Sequence, residues 1–205
     1  MRVLTFPLGM LETNCYLVVN GSEALAIDPG DEPSQVVSFL EQNRLKLAAI
    51  LNTHLHFDHI MGNAALERAT GAPIYLNKED LFLLEVSSGS KFGLPETEPF
   101  KYQFLQAGEI ILAGLRVTVI HTPGHSPGSL SYYLPDHNVL FSGDVLFHRD
   151  TGRSDLPGGN RDVLENETIR GKLYKLPDQT LVYPGHGPST TIGEEKAENH
   201  WVKER

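Results

Sequence analysis

The sequence predicts an α+β (α/β) fold, a four-layer αββα sandwich carried by one domain over residues 1–205. Three observations predict it. Strand-length runs of apolar and β-branched residues open the chain and return in its middle. Each strand-rich stretch gives way to segments in which helix and strand alternate. And 205 residues, 40% of them hydrophobic, suffice for one sizeable core. Two halves with the same order of elements pack as two sheets face to face, with helices outside.

In chain order, Tyr16–Asn20 and Ala24–Asp28 read as a hairpin about Gly21. Residues 33–44 carry Val36, Val37, Phe39 and Leu40 at helical spacing, opened by Asp31 or Pro33. Leu47–Asn52 is a buried strand. A helix over 61–69 closes at Gly71, a short strand follows over 73–76, and a helix over 78–86. From Ser87 to Phe100 the chain holds Ser, Gly and Pro with few periodic apolar positions. That is a long irregular loop, and such loops in compact domains often carry function. Strands follow over 109–112, 115–120, 130–134 and 139–142, separated by turns at Ala113-Gly114 and Pro135-Asp136-His137-Asn138. A helix of imperfect periodicity lies between Asp162 and Lys175, then a strand over 180–183. Thr191-Ile192-Gly193-Glu194 is a capping-box pattern that opens a last helix.

The net charge of −9, with no block of like charge, argues against a surface that tracks nucleic-acid phosphates. The single cysteine, Cys15, excludes an intrachain disulfide and suits a reducing compartment. No activating neighbour is legible around it, so it reads as a small packed hydrophobe. The start of the chain, with Arg2, Pro7, Gly9 and Glu12, has no apolar leader or cleavage site. No stretch approaches the ~18 apolar residues of a membrane span. A cytoplasmic protein without nucleic-acid or membrane partners is the expectation.

The chemistry concentrates in Thr53-His54-Leu55-His56-Phe57-Asp58-His59-Ile60-Met61-Gly62, with three histidines and an aspartate in six residues. Packing does not require this; imidazole and carboxylate are the usual ligands of zinc and similar divalent ions. On extended chain His54 and His56 share a side, and Asp58 and His59 turn elsewhere as a helix begins. Three later Gly/Pro-rich turns, each after an apolar run, add His125, Asp144 and His186. Five histidines and two aspartates are enough for two metals with one bridging carboxylate. A structural zinc site is normally closed, four-coordinate and rich in cysteine, which this set is not. His137 and His200 read as surface residues. His121 lies beside the His125 turn, and His148 in a loop bordering the site.

These segments resemble the metallo-β-lactamase-fold superfamily, whose signature is His-x-His-x-Asp-His followed by distant His, Asp and His. The resemblance is nearest to the short bacterial glyoxalase II-like group, the hydroxyacylglutathione hydrolases. It extends to Asn14-Cys15-Tyr16-Leu17-Val18, Ile27-Asp28-Pro29-Gly30, Gly152-Arg153-Ser154-Asp155-Leu156-Pro157-Gly158-Gly159 and the tail from Pro188 to Lys196. The resemblance implies a first metal on His54, His56 and His125, a second on Asp58, His59 and His186, and Asp144 bridging. Asp58 then orients the nucleophile as well as ligating. Zinc is the first expectation, with iron and manganese open. Coordination lowers the pKa of water from 15.7 to roughly 7, giving a hydroxide nucleophile at neutral pH. The implied substrate is a thioester, typically S-D-lactoylglutathione, yielding D-lactate and glutathione. Arg153, nine residues after Asp144, matches a position whose cation holds the substrate.

One departure is expected to matter. Full-length glyoxalase II has a C-terminal helical domain that contributes much of the glutathione site, and here 19 residues follow His186. Either the loops at 87–100 and around Arg153 complete the site, or the substrate is another ester or thioester. Rival readings are a mononuclear-iron persulfide dioxygenase, a β-lactamase, a nuclease and a non-enzymatic binding module. The complete second ligand set favours two metals over one. Asp144 stands where many β-lactamases have a cysteine.

Overall fold

A computed structural model describes residues 1–203. The chain forms two compact units, residues 1–105 with 111–115, and residues 106–110 with 116–205.

The first unit opens with β1 (Arg2–Leu8), β2 (Thr13–Asn20) and β3 (Glu23–Ile27). Then come α1 (Ser34–Gln42), β4 (Lys46–Leu51), α2 (Phe57–Ile60), α3 (Asn63–Thr70), β5 (Ile74–Leu76), α4 (Leu83–Val86) and β6 (Gln103–Phe104). Its sheet holds the six strands in sequence order. β1, β2 and β3 pair antiparallel; β3 through β6 pair parallel. β1 was not expected, since no strand was assigned before Tyr16. It lies at the sheet edge, where a proline takes no hydrogen bond from the ladder. Val36 and Leu40 of α1, four residues apart, and Leu66 of α3 pack on Leu17, Ala26, Ile50 and Ile74 of the sheet. Each fully buried aliphatic side chain contributes about 1.5–3 kcal/mol.

Gly71 ends α3 as expected, in a left-handed conformation (φ 70°) that an L side chain resists. The helix expected over 78–86 is broken. Asn77 caps a 3₁₀ turn at Lys78–Asp80, and α4 starts afresh at Leu83. Leu83 then packs with Leu55, Ile60 and Leu76, so α4 covers the helix of the histidine cluster. The 87–100 segment is irregular apart from one 3₁₀ turn at Gly89–Phe92. Cys15 is fully buried, and burial, reinforced by the Asp28 charge, pushes its thiol far above the usual range. It packs as a small buried hydrophobe, as expected.

The second sheet is built from β7 (Gly108–Leu112), β8 (Leu115–His121), β9 (Leu130–Leu134), β10 (Val139–Gly143), β13 (Leu181–Pro184) and β14 (Thr190–Thr191). Their order is β14-β13-β10-β9-β8-β7. Neighbouring strands run antiparallel at β8–β9, β9–β10 and β13–β14, while β10 and β13 are parallel. A two-residue ladder, β11 (Leu146–Phe147) with β12 (Asp150–Thr151), is too short to show a period in sequence. The helix expected between 162 and 175 is π-helical over Val163–Arg170, followed by a 3₁₀ turn at Leu173–Lys175. A π-helix closes its hydrogen bonds five residues on, which is why the 3.6-residue pattern reads imperfectly. α5 (Ile192–Glu198) begins where the capping signature placed it, Glu194 N–H donating to Thr191 Oγ1 (3.2 Å). Leu140, Val182, Leu164, Ile169, Leu173 and Ile192 form this unit's core. Among the described residues, no helix is long and apolar enough to cross a membrane.

Candidate metal centre

In each unit the candidate ligands follow the carboxyl ends of strands running the same way, the usual place for sites in parallel sheets. In the first unit β3 ends at Ile27 and Asp28 follows; β4 ends at Leu51 and the histidine cluster follows. His56 is the extended residue preceding α2, and Asp58 and His59 lie in its first turn. The His54 and His56 rings stand 4.7 Å apart and nearly perpendicular. The His59 ring is 4.1 Å from that of His54, so the two pairs that the sequence set apart converge. His54, His56 and His59 are buried; Asp58 keeps a little exposure.

Asp28 organises this cluster. Its carboxylate accepts from Thr53 N–H (2.7 Å), Thr53 Oγ1–H (2.6 Å) and His59 Nδ1–H (3.0 Å). An ionised carboxylate only accepts, so His59 carries its proton on Nδ1 and its lone pair on Nε2. The Thr53 hydroxyl, having given its proton to Asp28, accepts from His54 Nδ1–H at 3.1 Å. His54 is thereby held in the same tautomer. Asp28, His54 and His59 also lie close enough to suggest a three-ligand group of their own. Three accepted hydrogen bonds engage both Asp28 oxygens, and His59 Nδ1 is turned to Asp28, which favours a supporting role for Asp28 over that of a ligand. Thr13 Oγ1 donates to Asp58 Oδ2 (3.2 Å), and the buried Asn52 amide donates to His59 O and exchanges hydrogen bonds with Asn63. A Cβ on Gly30 would stand 2.0 Å from Asp58 O, so only glycine lets these loops meet.

The second unit brings His125, Asp144 and His186 together. Asp144 follows β10 and His186 follows β13; Gly185 N–H donates to Gly143 O (2.9 Å) and ties the two turns. Asp144 Oδ2 lies 3.7 Å from His125 Nε2 and 3.6 Å from His186 Nε2. His125 Nδ1–H donates to Arg153 O at 2.7 Å, which leaves its lone pair on Nε2 as well. His121 braces the same turn by donating from Nε2 to Pro127 O (2.7 Å).

The donors fit divalent cations. His59 and His125 each turn a lone-pair nitrogen toward a carboxylate oxygen, at 3.5 Å for Asp58 and 3.7 Å for Asp144. Two acceptors facing one another repel unless a cation lies between them. The spacing is also too long for a hydrogen bond. Two ligands at about 2.1 Å from one tetrahedral ion stand about 3.4 Å apart. Nδ1 hydrogen bonds to carboxylate, hydroxyl and carbonyl are the usual means of aiming metal-binding imidazoles.

Arg153 enters the site by its backbone. Its exposed guanidinium forks Asp155 (3.0 and 2.9 Å), and that hydrogen-bonded pair holds the Asp155 carboxyl below the usual carboxylate range. His137, His148 and His200 are exposed. Sequence reasoning quoted Asp28 only as part of a motif and missed its role, along with those of Thr53 and the glycines. The signal available was Asp28-Pro29-Gly30 at a strand end. A Cβ on Gly152 would stand 1.7 Å from Asp144 O and 3.3 Å from His125 Nδ1. Gly152→Ala is therefore expected to displace the Asp144 turn, destabilising the fold by roughly 1–3 kcal/mol or more. Thermal unfolding with and without metal would check this; wild-type stability and metal content together would refute the close approach.

The model of the metallo-beta-lactamase superfamily matches residues 8–186. A probable metallo-hydrolase, YqgX of Bacillus subtilis, is 37% identical over 98% of both chains. Hydroxyacylglutathione hydrolase GloC of Haemophilus influenzae is 35% identical over 100% of both. Among solved structures, the BLEG-1 B3 metallo-beta-lactamase superposes with a TM-score of 0.92 at 38% identity, covering 99% of this chain and 100% of that one. TTHA1623 in a di-iron-bound form gives 0.88 at 39%, covering 97% and 100%. The chain belongs to the metallo-beta-lactamase superfamily and has its fold, an α+β sandwich. It is a metallo-hydrolase of that superfamily, with His and Asp groups suited to divalent metal.

Proposed function

We propose that the protein hydrolyses a glutathione-derived thioester such as S-D-lactoylglutathione, at two divalent ions held by His54, His56, Asp58, His59, His125, Asp144 and His186. In this reading the two units act as one catalytic domain, in the cytoplasm. The observation that carries it is full-length identity of 35% to GloC, alongside a complete ligand set. The donors are all nitrogen and oxygen. That suits zinc, iron or manganese, and a neighbour holds two irons.

The ions, when bound, supply a hydroxide nucleophile at neutral pH and polarise the thioester carbonyl. The chain's own residues do the rest. Asp28, through Thr53 and His59, and Arg153, through its carbonyl, keep three imidazoles aimed by Nε2. Asp144 shares one carboxylate between its two histidines, and Asp58, held by Thr13, orients the attacking group. The Arg153 guanidinium exchanges Asp155 for a substrate carboxylate.

Arg153→Ala is expected to raise KM roughly 10- to 100-fold, the worth of a charge-assisted hydrogen bond, with a smaller change in kcat. Steady-state kinetics on S-D-lactoylglutathione with the metal-replete protein test both statements. An unchanged KM removes Arg153 from the site. No hydrolysis, with oxygen uptake on glutathione persulfide, moves the assignment to a dioxygenase. The likeness to a B3 metallo-beta-lactamase makes a β-lactam the second substrate to assay.

A further inference from the structure

The segment that carries Arg153 also lines a cavity of about 290 Å³ in the second unit, and neither the ligand set nor the fold accounts for it. The loop from Asp150 to Asp155, which includes Gly152 and Arg153, lines it together with Arg161, Glu165 and Trp201. Two of these loop residues touch the metal half-site, since Gly152 packs on Asp144 and Arg153 O orients His125. A ligand in the cavity thus lies along the chain that shapes the His125–Asp144 turn.

The lining has a definite chemistry. The Arg161 guanidinium lies 4.4 Å over the Trp201 ring and pairs with Glu165 at 2.7 Å. Trp201, the single tryptophan, keeps 48% of its surface exposed. An indole left half in water beside a cavity is a stacking surface for a flat polar group. Asp150, Asp155 and Glu165 balance Arg153 and Arg161, so the lining carries both signs and no net positive charge. That suits a zwitterion, whose ammonium and carboxylate each find a partner. It disfavours a carrier bearing several phosphates, which would meet uncompensated carboxylates.

The walls are also braced. The Glu195 carboxylate is fully buried and accepts from Arg149 N–H (2.9 and 3.1 Å), Thr190 Oγ1–H (2.6 Å) and Asn199 Nδ2–H (2.6 Å). Asn199 in turn donates to Asp150 O (3.0 Å) and accepts from Trp201 N–H (3.0 Å). Arg170 Nη2–H donates to Trp201 O (2.9 Å). The tail that follows His186 is therefore fastened to the 149–153 loop, and Trp201 is held in place.

We propose that this cavity receives the zwitterionic aminoacyl end of the glutathione-type thiol carrier, Arg161 binding its carboxylate and Trp201 stacking on its peptide planes. The assignment deepens the thioester-hydrolase reading and rests on it for the substrate class. It gives the short chain its own carrier subsite, built from the loop after Asp144 and the tail.

The single tryptophan reports occupancy without turnover. Titration of the metal-replete protein with S-methylglutathione, a thioether that cannot be hydrolysed, is expected to change Trp201 fluorescence saturably. Arg161→Ala is expected to raise the half-saturation concentration roughly 10-fold or more. Arg161 is half exposed, so that variant keeps its fold, which circular dichroism verifies. Coenzyme A, as the phosphate-bearing carrier, is expected to give no comparable change. Absence of a saturable signal, an unchanged half-saturation in Arg161→Ala, or an equal response to coenzyme A overturns the proposal. The two readings fail separately. Saturable binding without hydrolysis of any thioester sinks the hydrolase and keeps the cavity. Hydrolysis whose KM and titration ignore Arg161→Ala sinks the cavity and keeps the hydrolase.

Discussion

Asp144→Ala is expected to strip metal from the whole centre and to lower kcat/KM by on the order of 10³-fold or more. The magnitude follows from losing several kcal/mol of Lewis-acid stabilisation at about 1.36 kcal/mol per tenfold. The reason for the size is geometric. Asp144 Oδ2 lies within 4 Å of both the His125 and the His186 Nε2. A shared anion offsets charge on two cations, so its loss is not local. His186→Ala, by contrast, removes one more exposed imidazole (30% exposed) and is expected to empty one site only. Elemental analysis after reconstitution measures both. Metal-free Asp144→Ala should unfold at or above the wild-type temperature, because the residue lies in a turn and its charge faces other acceptors. Full metal content and activity in Asp144→Ala would remove the bridging role. Saturation of the wild type at one equivalent would remove the binuclear centre.

Asp28→Ala is expected to act on stability and metal affinity together. It leaves Thr53 N–H and His59 Nδ1–H buried without their acceptor, at about 1–3 kcal/mol each. It also frees His54 and His59 from their tautomers, and loss of such support costs roughly 10–100-fold in metal affinity. Denaturant unfolding of the metal-free protein isolates the first effect and competition with a chelator the second. The backbone at Asp28 is left-handed (φ 50°), a conformation asparagine tolerates far better than alanine. Asp28→Asn is therefore expected to keep more of the fold than Asp28→Ala, while its amide still scrambles the His59 tautomer. A loss of metal affinity in neither variant would make Asp28 a packing residue only.

The parts of the molecule legible in sequence are those with a local cause. Gly71 closes α3 because it alone adopts φ 70° freely, and Thr191 opens α5 through its own hydroxyl. The His54–His59 run announces its chemistry by composition. The parts that were not legible depend on partners far along the chain. β1, to which no strand was assigned, pairs along its whole length with β2. The break before α4 and the π-helix at 163–170 sit where packing overrides a helical period.

The sequence by itself determined the class of fold and the strand-end turns, and it named seven residues whose side chains are of metal-donor type. Turn chemistry and ligand type are properties of single residues and their immediate neighbours, so they survive in the letters. Only the tertiary structure decided which nitrogen of each histidine is offered. That depends on where Asp28 arrives, 31 residues from His59 and 25 from the Thr53 hydroxyl that it orients toward His54, and on the carbonyl of Arg153, 28 residues from His125. It also decided that the Arg153 guanidinium rests on Asp155 and that the tail brings Trp201 to Arg161. A proton's place on an imidazole, and the neighbour of an exposed guanidinium, are set by hydrogen bonds and stacking between segments distant in sequence, which no local pattern encodes.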